Sequence, residues 1–316
     1  MYYPYLRSKQ FELIALKEFA QEHPSNGCII PIIEPVKENL HSLTAAIEKM
    51  SSNNMNFSLI LNPTDGDFQY KKKDILSEIE ELQTVNYIPA FLYSYNQGAI
   101  LDYINKYDLD NIMIIFRDGM DFSNDKGLKD FLASPRITTI VNGQADVRAT
   151  YSNLQNLHKK VIRLDDRFST NKRNVDYAIT EEEIFTEEPF YFQQDGFVGF
   201  SDYTTLPKNF VEGGSLPYAI AIHLTYRGDN NIIYIHHFVS DTNFDQTNIR
   251  GKFAEASRKV IDFFDNHPLG FRSFALEELK RDVADAKYPG LGIVKKISIK
   301  HHLELMLNVL NQQHED

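Results

Sequence analysis

The sequence predicts an α/β protein whose main part is an eight-stranded, TIM-barrel-like (β/α)8 domain, followed by an extra hairpin and a helical annex. Two observations lead to this prediction. Short apolar runs recur along the chain, and segments with helical spacing separate them. Such alternation produces parallel strands joined by right-handed crossovers. The chain has 316 residues, 42% of them hydrophobic, and a barrel of this kind usually takes about 250 residues.

Eight apolar runs supply the predicted strands. They lie near residues 28–34, 57–62, 87–93, 111–117, 136–142, 160–165, 196–201 and 217–225. The runs at 112–116 and 218–222 are apolar at every position, which is typical of parallel strands covered on both faces. An open doubly wound sheet is the alternative. It favours a glycine-rich turn after the first strand, and residues 33–36 contain no glycine.

Helical spacing fills most of the gaps between these runs. The predicted helices lie near residues 40–50, 73–82, 98–107 and 128–132. A long insert at 168–195 interrupts the pattern. Its acidic run at 180–184 predicts a short capped helix.

The pattern changes after the eighth predicted strand. A turn at 228–231 leads into a ninth extended run at 232–238, which predicts a hairpin. The remaining chain is helical in spacing from about residue 250. We therefore predict two domains: residues 1–249 as the barrel-like domain, with the N-terminal tyrosines as an aromatic plug, and residues 250–316 as an annex packed on the barrel.

Composition limits the classes of function. The net charge of −11 argues against unaided, nonspecific nucleic-acid binding, which depends on Lys and Arg neutralising phosphates. The single cysteine, Cys28, cannot form an internal disulfide. The N-terminus does not have the pattern of a signal peptide, and no apolar run reaches the roughly 20 residues of a membrane span. We expect a soluble cytoplasmic protein that does not bind membranes.

Candidate catalytic and metal-binding residues come from the ends of the predicted strands. The carboxyl ends of parallel strands meet at one end of a barrel, and polar residues follow most of the strands there. The predicted catalytic residues are Glu34, Asp165 and Asp202. The predicted metal ligands are Glu34, Asp118 and Asp202, because several carboxylates together suit Mg²⁺ or Mn²⁺.

Cationic and polar residues near the same strand ends predict a site for an anionic ligand. The candidates are Lys9, Lys37, Asn62, Arg117, Arg167 and Tyr203. Arginine beside carboxylates suits a phosphorylated or carboxylated ligand, because guanidinium binds such groups in a bidentate way. The alternative is that these polar residues only cap helices and form turns, since Asp, Asn and Ser after a strand do so in many proteins.

Two stretches carry a family resemblance. Residues 1–13 together with 30–37, and residues 199–203 farther along, resemble blocks of bacterial proteins related to the phage "beta protein" family. Where that family usually has a glycine between the arginine and the lysine, this chain has Ser8. The resemblance implies a barrel-like fold, a second small protein encoded nearby and a role in interaction or phage defence. It implies no particular chemistry.

Two hypotheses follow for function. In the first, the barrel binds or processes a phosphorylated or nucleotide-like ligand, with Mg²⁺ or Mn²⁺ as the metal. In the second, the chain is a non-catalytic scaffold that binds a protein partner, such as a nuclease, through its N-terminal tyrosines and helical annex. The sequence leaves open whether the protein is an enzyme.

Overall fold

A computed structural model gives the fold of the chain. It describes residues 1–79, 82, 85–120, 125–143, 148–171, 173–213, 216–267 and 271–313. The strands in this part of the chain are Tyr5–Arg7 (β1), Ile32–Glu34 (β2), Ser58–Ile60 (β3), Ile88–Leu92 (β4), Ile112–Phe116 (β5), Ile137–Gly143 (β6), Lys160–Asp165 (β7), Glu182–Thr186 (β8), Gly199–Asp202 (β9), Ala221–Arg227 (β10) and Ile233–Val239 (β11).

Helices alternate with the first strands and fill the C-terminal third of the chain. They are Gln10–Glu22 (α1), His41–Ser52 (α2), Ile75–Glu78 (α3), Gln97–Tyr107 (α4), Lys126–Leu132 (α5), Arg148–Gln155 (α6), Glu188–Tyr191 (α7), Ile249–Asn266 (α8), Phe274–Ala284 (α9) and Leu291–Gln312 (α10). None of the described helices is both long enough and apolar enough to cross a membrane.

Eight parallel strands form the main sheet, as the sequence predicts. Their order is β1-β2-β3-β4-β5-β6-β7-β9, so each strand pairs with the next one along the chain except that β8 is skipped. The two edges approach each other at Tyr2, which forms bridges to both Ile29 and Phe200. The amide of Phe200 donates to the carbonyl of Met1 at 3.1 Å, and the amide of Tyr3 donates to the carbonyl of Phe200 at 2.8 Å. The sheet is therefore a nearly closed (β/α)8-type barrel.

The membership of the barrel differs from the predicted one at a single strand. The run predicted as the eighth strand, near 217–225, lies outside the barrel sheet and forms β10 instead. Its place is taken by Tyr5–Arg7, in the segment predicted to be an aromatic plug. β1 has only three residues and follows Pro4, so it is too short to show a strand period in the sequence.

The predicted hairpin is confirmed. β10 and β11 pair antiparallel from Ala221 with Val239 to Arg227 with Ile233. The predicted helix at 180–184 is wrong, because Glu182–Thr186 is a strand that pairs with β11. Charged residues are common on such edge strands, where they discourage pairing with other chains.

The chain divides into two compact units. The first contains Met1–Lys9, Pro24–Asp166 and Tyr191–Asp202, and hence the whole barrel sheet. The second contains Gln10–His23, Arg167–Phe190 and Tyr203–Asp316. In this division the hairpin and α1 group with the C-terminal helices. The domain boundary between residues 249 and 250 stays a prediction.

An apolar core holds the second unit together. It joins the hairpin to α8, α9 and α10 through side chains such as Ile222, Leu224, Phe253, Leu276 and Ile297. α10 is buried along most of its length, including two lysines that form ion pairs. Lys296 lies 2.8 Å from Glu18 and 2.7 Å from Glu278, and these pairs compensate the loss of water around the ammonium group.

Candidate functional site

The inner face of the barrel is identified by one contact across it. Arg117 follows β5 and Glu34 ends β2, and two strands separate β2 from β5 in the sheet. Nη1 of Arg117 nevertheless donates to Oε2 of Glu34 at 3.2 Å. Such a contact has to cross the interior of the barrel. Tyr5 and Arg7 point to the same face as Glu34, because Arg7 is paired with Glu34 and side chains two apart share a face.

Glu34 lies at the centre of a cluster of hydrogen-bonded residues that also contains Tyr5, Thr64, Asp65 and Arg117. Its carboxylate has no exposed surface, and both of its oxygens accept hydrogen bonds. Oε2 accepts from the Tyr5 hydroxyl at 2.6 Å and from Arg117. Oε1 accepts from the amides of Thr64 at 3.0 Å and Asp65 at 3.2 Å. These donors make burial of the charge tolerable and fix the loop after β3 against the strand end.

Asp65 links two guanidinium groups at the same end of the barrel. Its Oδ2 accepts from Nε of Arg7 at 2.9 Å and from Nη1 of Arg117 at 3.0 Å. Nη2 of Arg117 also donates to Oγ1 of Thr64 at 2.8 Å. The side chain of Arg117 is 25% exposed and that of Arg7 is 7% exposed. Of these two arginines, Arg117 is therefore the more accessible to a ligand in solvent.

The loop that carries Thr64 and Asp65 requires a glycine. Gly66 has φ +64°, and a Cβ atom there would lie 2.2 Å from the carbonyl oxygen of Val36. The amide of Asp67 donates to that same carbonyl at 2.9 Å. The close approach holds the loop over the end of β2. Tyr5, Thr64 and Asp65 are not among the site residues predicted from the sequence, although a polar loop directly after a strand is a visible signal.

Two other predicted carboxylates, Asp165 and Asp202, lie on the opposite face of the sheet. Tyr2 pairs with Ile29 and Tyr5 pairs with Ile32, so both tyrosines belong to one continuous register. They are an odd number of residues apart, and their side chains therefore point to opposite faces of the sheet. Phe200 is paired with Tyr2, and Asp202 shares the face of Phe200. Alternation thus separates Asp202 from Glu34.

Asp202 and Asp165 are adjacent on this outer face. Register pairs them, and each has a donor close by. The Tyr2 hydroxyl donates to Oδ1 of Asp202 at 2.5 Å, and Nε of Arg163 donates to Oδ2 of Asp165 at 2.8 Å. Burial, followed by the negative charge of Asp202, raises the pKa of Tyr2 well above its ordinary value.

The remaining predicted ligand residues are scattered. Both amide atoms of Asn62 bond the backbone of Leu92, each at 2.8 Å, so this side chain ties β3 to β4. Lys37 is half exposed and lies 3.7 Å from Asp67. Arg167 and Tyr203 belong to the second unit, where Arg167 lies 3.2 Å from Glu188. Of the predicted residues, Glu34 and Arg117 are hydrogen-bonded directly to each other.

Among the described residues, the side chains placed to share a metal ion are not the predicted ones. Glu34, Asp118 and Asp202 do not form such a cluster, whereas Glu22, His23 and Glu304 of the second unit do. Their ligand atoms all lie within 4.8 Å of one another. One imidazole and two carboxylates could hold a divalent transition metal. Lys300, 2.6 Å from Glu22, already supplies positive charge there.

Comparisons with known proteins add no family. No family model matches the chain, and no curated protein matches it either. The resemblance to the phage "beta protein" family therefore stays a prediction.

Proposed function

We propose that the barrel binds a phosphorylated or nucleotide-like ligand at the end formed by Arg7, Glu34, Asp65 and Arg117. The observation that carries the proposal is the position of the Arg117 guanidinium. It is partly exposed at the carboxyl ends of the strands, where ligand sites of this fold lie. Three acceptors hold it in one orientation before any ligand arrives.

Each member of the cluster has a distinct part in this proposal. Arg117 binds the phosphate, because a guanidinium offers two parallel donors to its oxygens. Arg7 is more deeply buried and adds a second positive charge beside Asp65. Glu34 orients Arg117 and the loop after β3 and is a positioning residue. Asp65 is 18% exposed and is the carboxylate best placed to contact a ligand or a ligand-bound Mg²⁺.

A binding experiment with a matched pair of variants tests this function. Inorganic phosphate, ribose 5-phosphate, AMP and ATP are titrated into the purified chain by calorimetry, with and without Mg²⁺. We expect Arg117→Gln to weaken phosphate-ligand binding at least about tenfold, the worth of one charge-assisted contact. Arg136→Gln is the control, since Arg136 forms a comparable pair with Asp108 at 2.8 Å but precedes β6 at the other end of the strands. No binding by the whole panel, or equal binding by both variants, contradicts the proposal.

The scaffold hypothesis is a second proposal, together with a cytoplasmic location and a role in phage defence. It is supported by the family resemblance alone. Tyr2, Tyr3 and Tyr5 are 0%, 7% and 1% exposed, so a partner would need a surface other than these tyrosines. A pull-down of the neighbouring gene product tests it. Retention by Arg117→Gln as well as by the unaltered chain supports a scaffold, and failure of the unaltered chain to retain the product contradicts it.

A further inference from the structure

The second unit contains a cavity of about 810 Å³, and its described lining belongs wholly to that unit. Small-molecule sites usually have about 300–1,000 Å³, with mostly apolar walls and a few polar groups. Its apolar wall includes Phe168, Tyr177, Leu206 and Val294. Its ionisable lining residues are His223, Lys295 and Arg173, besides the phenols. None of its described lining residues is one used in the proposed function.

His223 lines the cavity and is hydrogen-bonded to a side chain of the neighbouring strand. It lies on β10 directly opposite His237 on β11, and the two Nδ1 atoms are 2.7 Å apart. Nε2 of His237 lies 3.2 Å from Oε1 of Glu183 on β8. The three strands of the small sheet thus carry a continuous chain of groups from Glu183 through His237 to His223.

The carboxylate of Glu183 determines which nitrogen of each histidine carries a proton. An ionised carboxylate only accepts, so His237 has to carry its proton on Nε2. The Nδ1 atom of His237 is then an acceptor, and a hydrogen bond of 2.7 Å requires His223 to donate from its own Nδ1. Nε2 of His223 is consequently left unprotonated. No described residue forms a hydrogen bond with it.

The surroundings keep His223 neutral. Burial, with the charges of His237 and Lys295 added, lowers its pKa to about 3. Burial also lowers the pKa of His237, against the opposing effect of Glu183. The rings of Phe168 and Tyr177 pack edge-on against His223, with centroids 5.1 Å and 4.6 Å away. The imidazole is therefore a rigid acceptor at neutral pH.

Lys295 supplies positive charge at the same cavity. Its side chain is exposed, and it has no ion-pair partner in the described part of the chain. Arg173 also lines the cavity, but it is paired with Asp176 at 2.7 Å. An anionic group in the cavity would therefore meet Lys295 without displacing an existing carboxylate.

We infer that this cavity binds a small organic anion that also carries a hydroxyl or N–H donor, with its anionic group on Lys295 and its donor on Nε2 of His223. The anionic group is a carboxylate or a phosphate. This site has no residue in common with the one in the proposed function. Its ligand needs a hydrogen-bond donor, because the unprotonated Nε2 of His223 accepts a hydrogen bond from a donor. A protonated Nε2 would instead repel such a donor.

Imidazole tautomers are measured first, by long-range ¹H–¹⁵N correlation spectra of the full chain at pH 7. We expect His223 as the Nδ1–H tautomer and His237 as the Nε2–H tautomer. Glu183→Gln replaces a group that can only accept with an amide that can also donate, so the preference for these two tautomers should weaken. The matched control is Glu182→Gln, because Glu182 is the neighbouring strand residue and instead accepts from the Tyr226 hydroxyl at 2.5 Å. A wild-type His223 protonated on Nε2 overturns the inference.

Ligand binding is measured next with four probes: lactate, acetate, glycerol 3-phosphate and inorganic phosphate. We expect a hydroxylated probe to bind at least about tenfold tighter than its partner without a hydroxyl, the size of one well-made hydrogen bond in a site. Lactate against acetate tests a carboxylate ligand, and glycerol 3-phosphate against phosphate tests a phosphorylated one. Lys295→Gln should weaken binding of the preferred probe, and Glu183→Gln should reduce the preference for the hydroxylated probe.

The outcomes separate this inference from the proposed function. Arg117→Gln should leave probe binding to the cavity unchanged, and Lys295→Gln should leave nucleotide binding unchanged. Binding that is lost in Arg117→Gln but kept in Lys295→Gln assigns the probe to the barrel and contradicts the inference. So does failure of all four probes to bind a chain whose histidine tautomers are as expected.

Discussion

Arg117 and Glu34 form an ion pair across the interior of the barrel, with 3.2 Å between Nη1 and Oε2, although β3 and β4 separate their strands. We expect Arg117→Met to lower the free energy of unfolding by about 2–3 kcal/mol, because it leaves a buried carboxylate with fewer donors. The same change made in a Glu34→Gln background should cost clearly less. Urea unfolding of the four chains completes the double-mutant cycle, and equal costs in both backgrounds contradict the coupling.

Tyr2 and Asp202 form a second buried contact, on the other face of the sheet. The hydroxyl donates at 2.5 Å, and the two residues are 0% and 2% exposed. Tyr2→Phe should lower stability by about 1–3 kcal/mol, since Asp202 loses a donor that water does not replace. Tyr95→Phe is the control, because Tyr95 is 78% exposed and its loss should change stability by less than about 0.5 kcal/mol. Similar losses in both variants would rule out this role for the contact.

Asp74 makes stability depend on pH at the acid end. Burial alone would raise its pKa, but hydrogen bonds from Lys106, Tyr103 and Tyr107 outweigh burial and lower the pKa from 3.8 to about 2. The unfolded chain therefore binds more protons than the folded one in this window. The resulting stability is fully present above about pH 4 and is lost as the pH falls through 2.

Asp74→Asn removes that dependence. Between pH 6 and pH 3 the unaltered chain should lose about 1 kcal/mol more stability than the variant, from linkage between the two pKa values. Asp110→Asn, at an aspartate with 76% of its side chain exposed, is the control and should follow the unaltered chain. Urea titrations at each pH give the comparison, and parallel curves for the chain and Asp74→Asn would contradict the prediction.

Gly199 lets the two edges of the barrel meet. A Cβ atom there would lie 2.6 Å from the ring of Tyr3 and 2.8 Å from the carbonyl oxygen of Met1. Gly199→Ala should therefore cost about 1–3 kcal/mol by overpacking. Gly98→Ala is the matched control, since nothing lies within 4 Å of its added Cβ and alanine favours the helix α4. If Gly199→Ala leaves the thermal unfolding temperature unchanged, the two edges of the barrel can move apart without loss of stability, and the prediction is wrong.

The sequence by itself determined the elements whose pattern repeats. β5 was predicted because residues 112–116 are apolar at every position, and α4 was predicted because its apolar residues recur at helical spacing. The polar residues at the ends of the predicted strands pointed to Glu34 and Arg117, which the structure brings together. Local composition is sufficient for such features, because each is specified within a single element.

Only the tertiary structure decided which strands close the barrel and which face each carboxylate takes. β1 has three residues, and its membership depends on pairing with β2 rather than on any local period. β8 was predicted as a helix because its acidic run resembles a capped helix start, and its pairing with β11 determines otherwise. The same long-range register placed Asp202 outside and Glu34 inside. A side chain's face alternates with every residue, so only the partner strand fixes which residues meet.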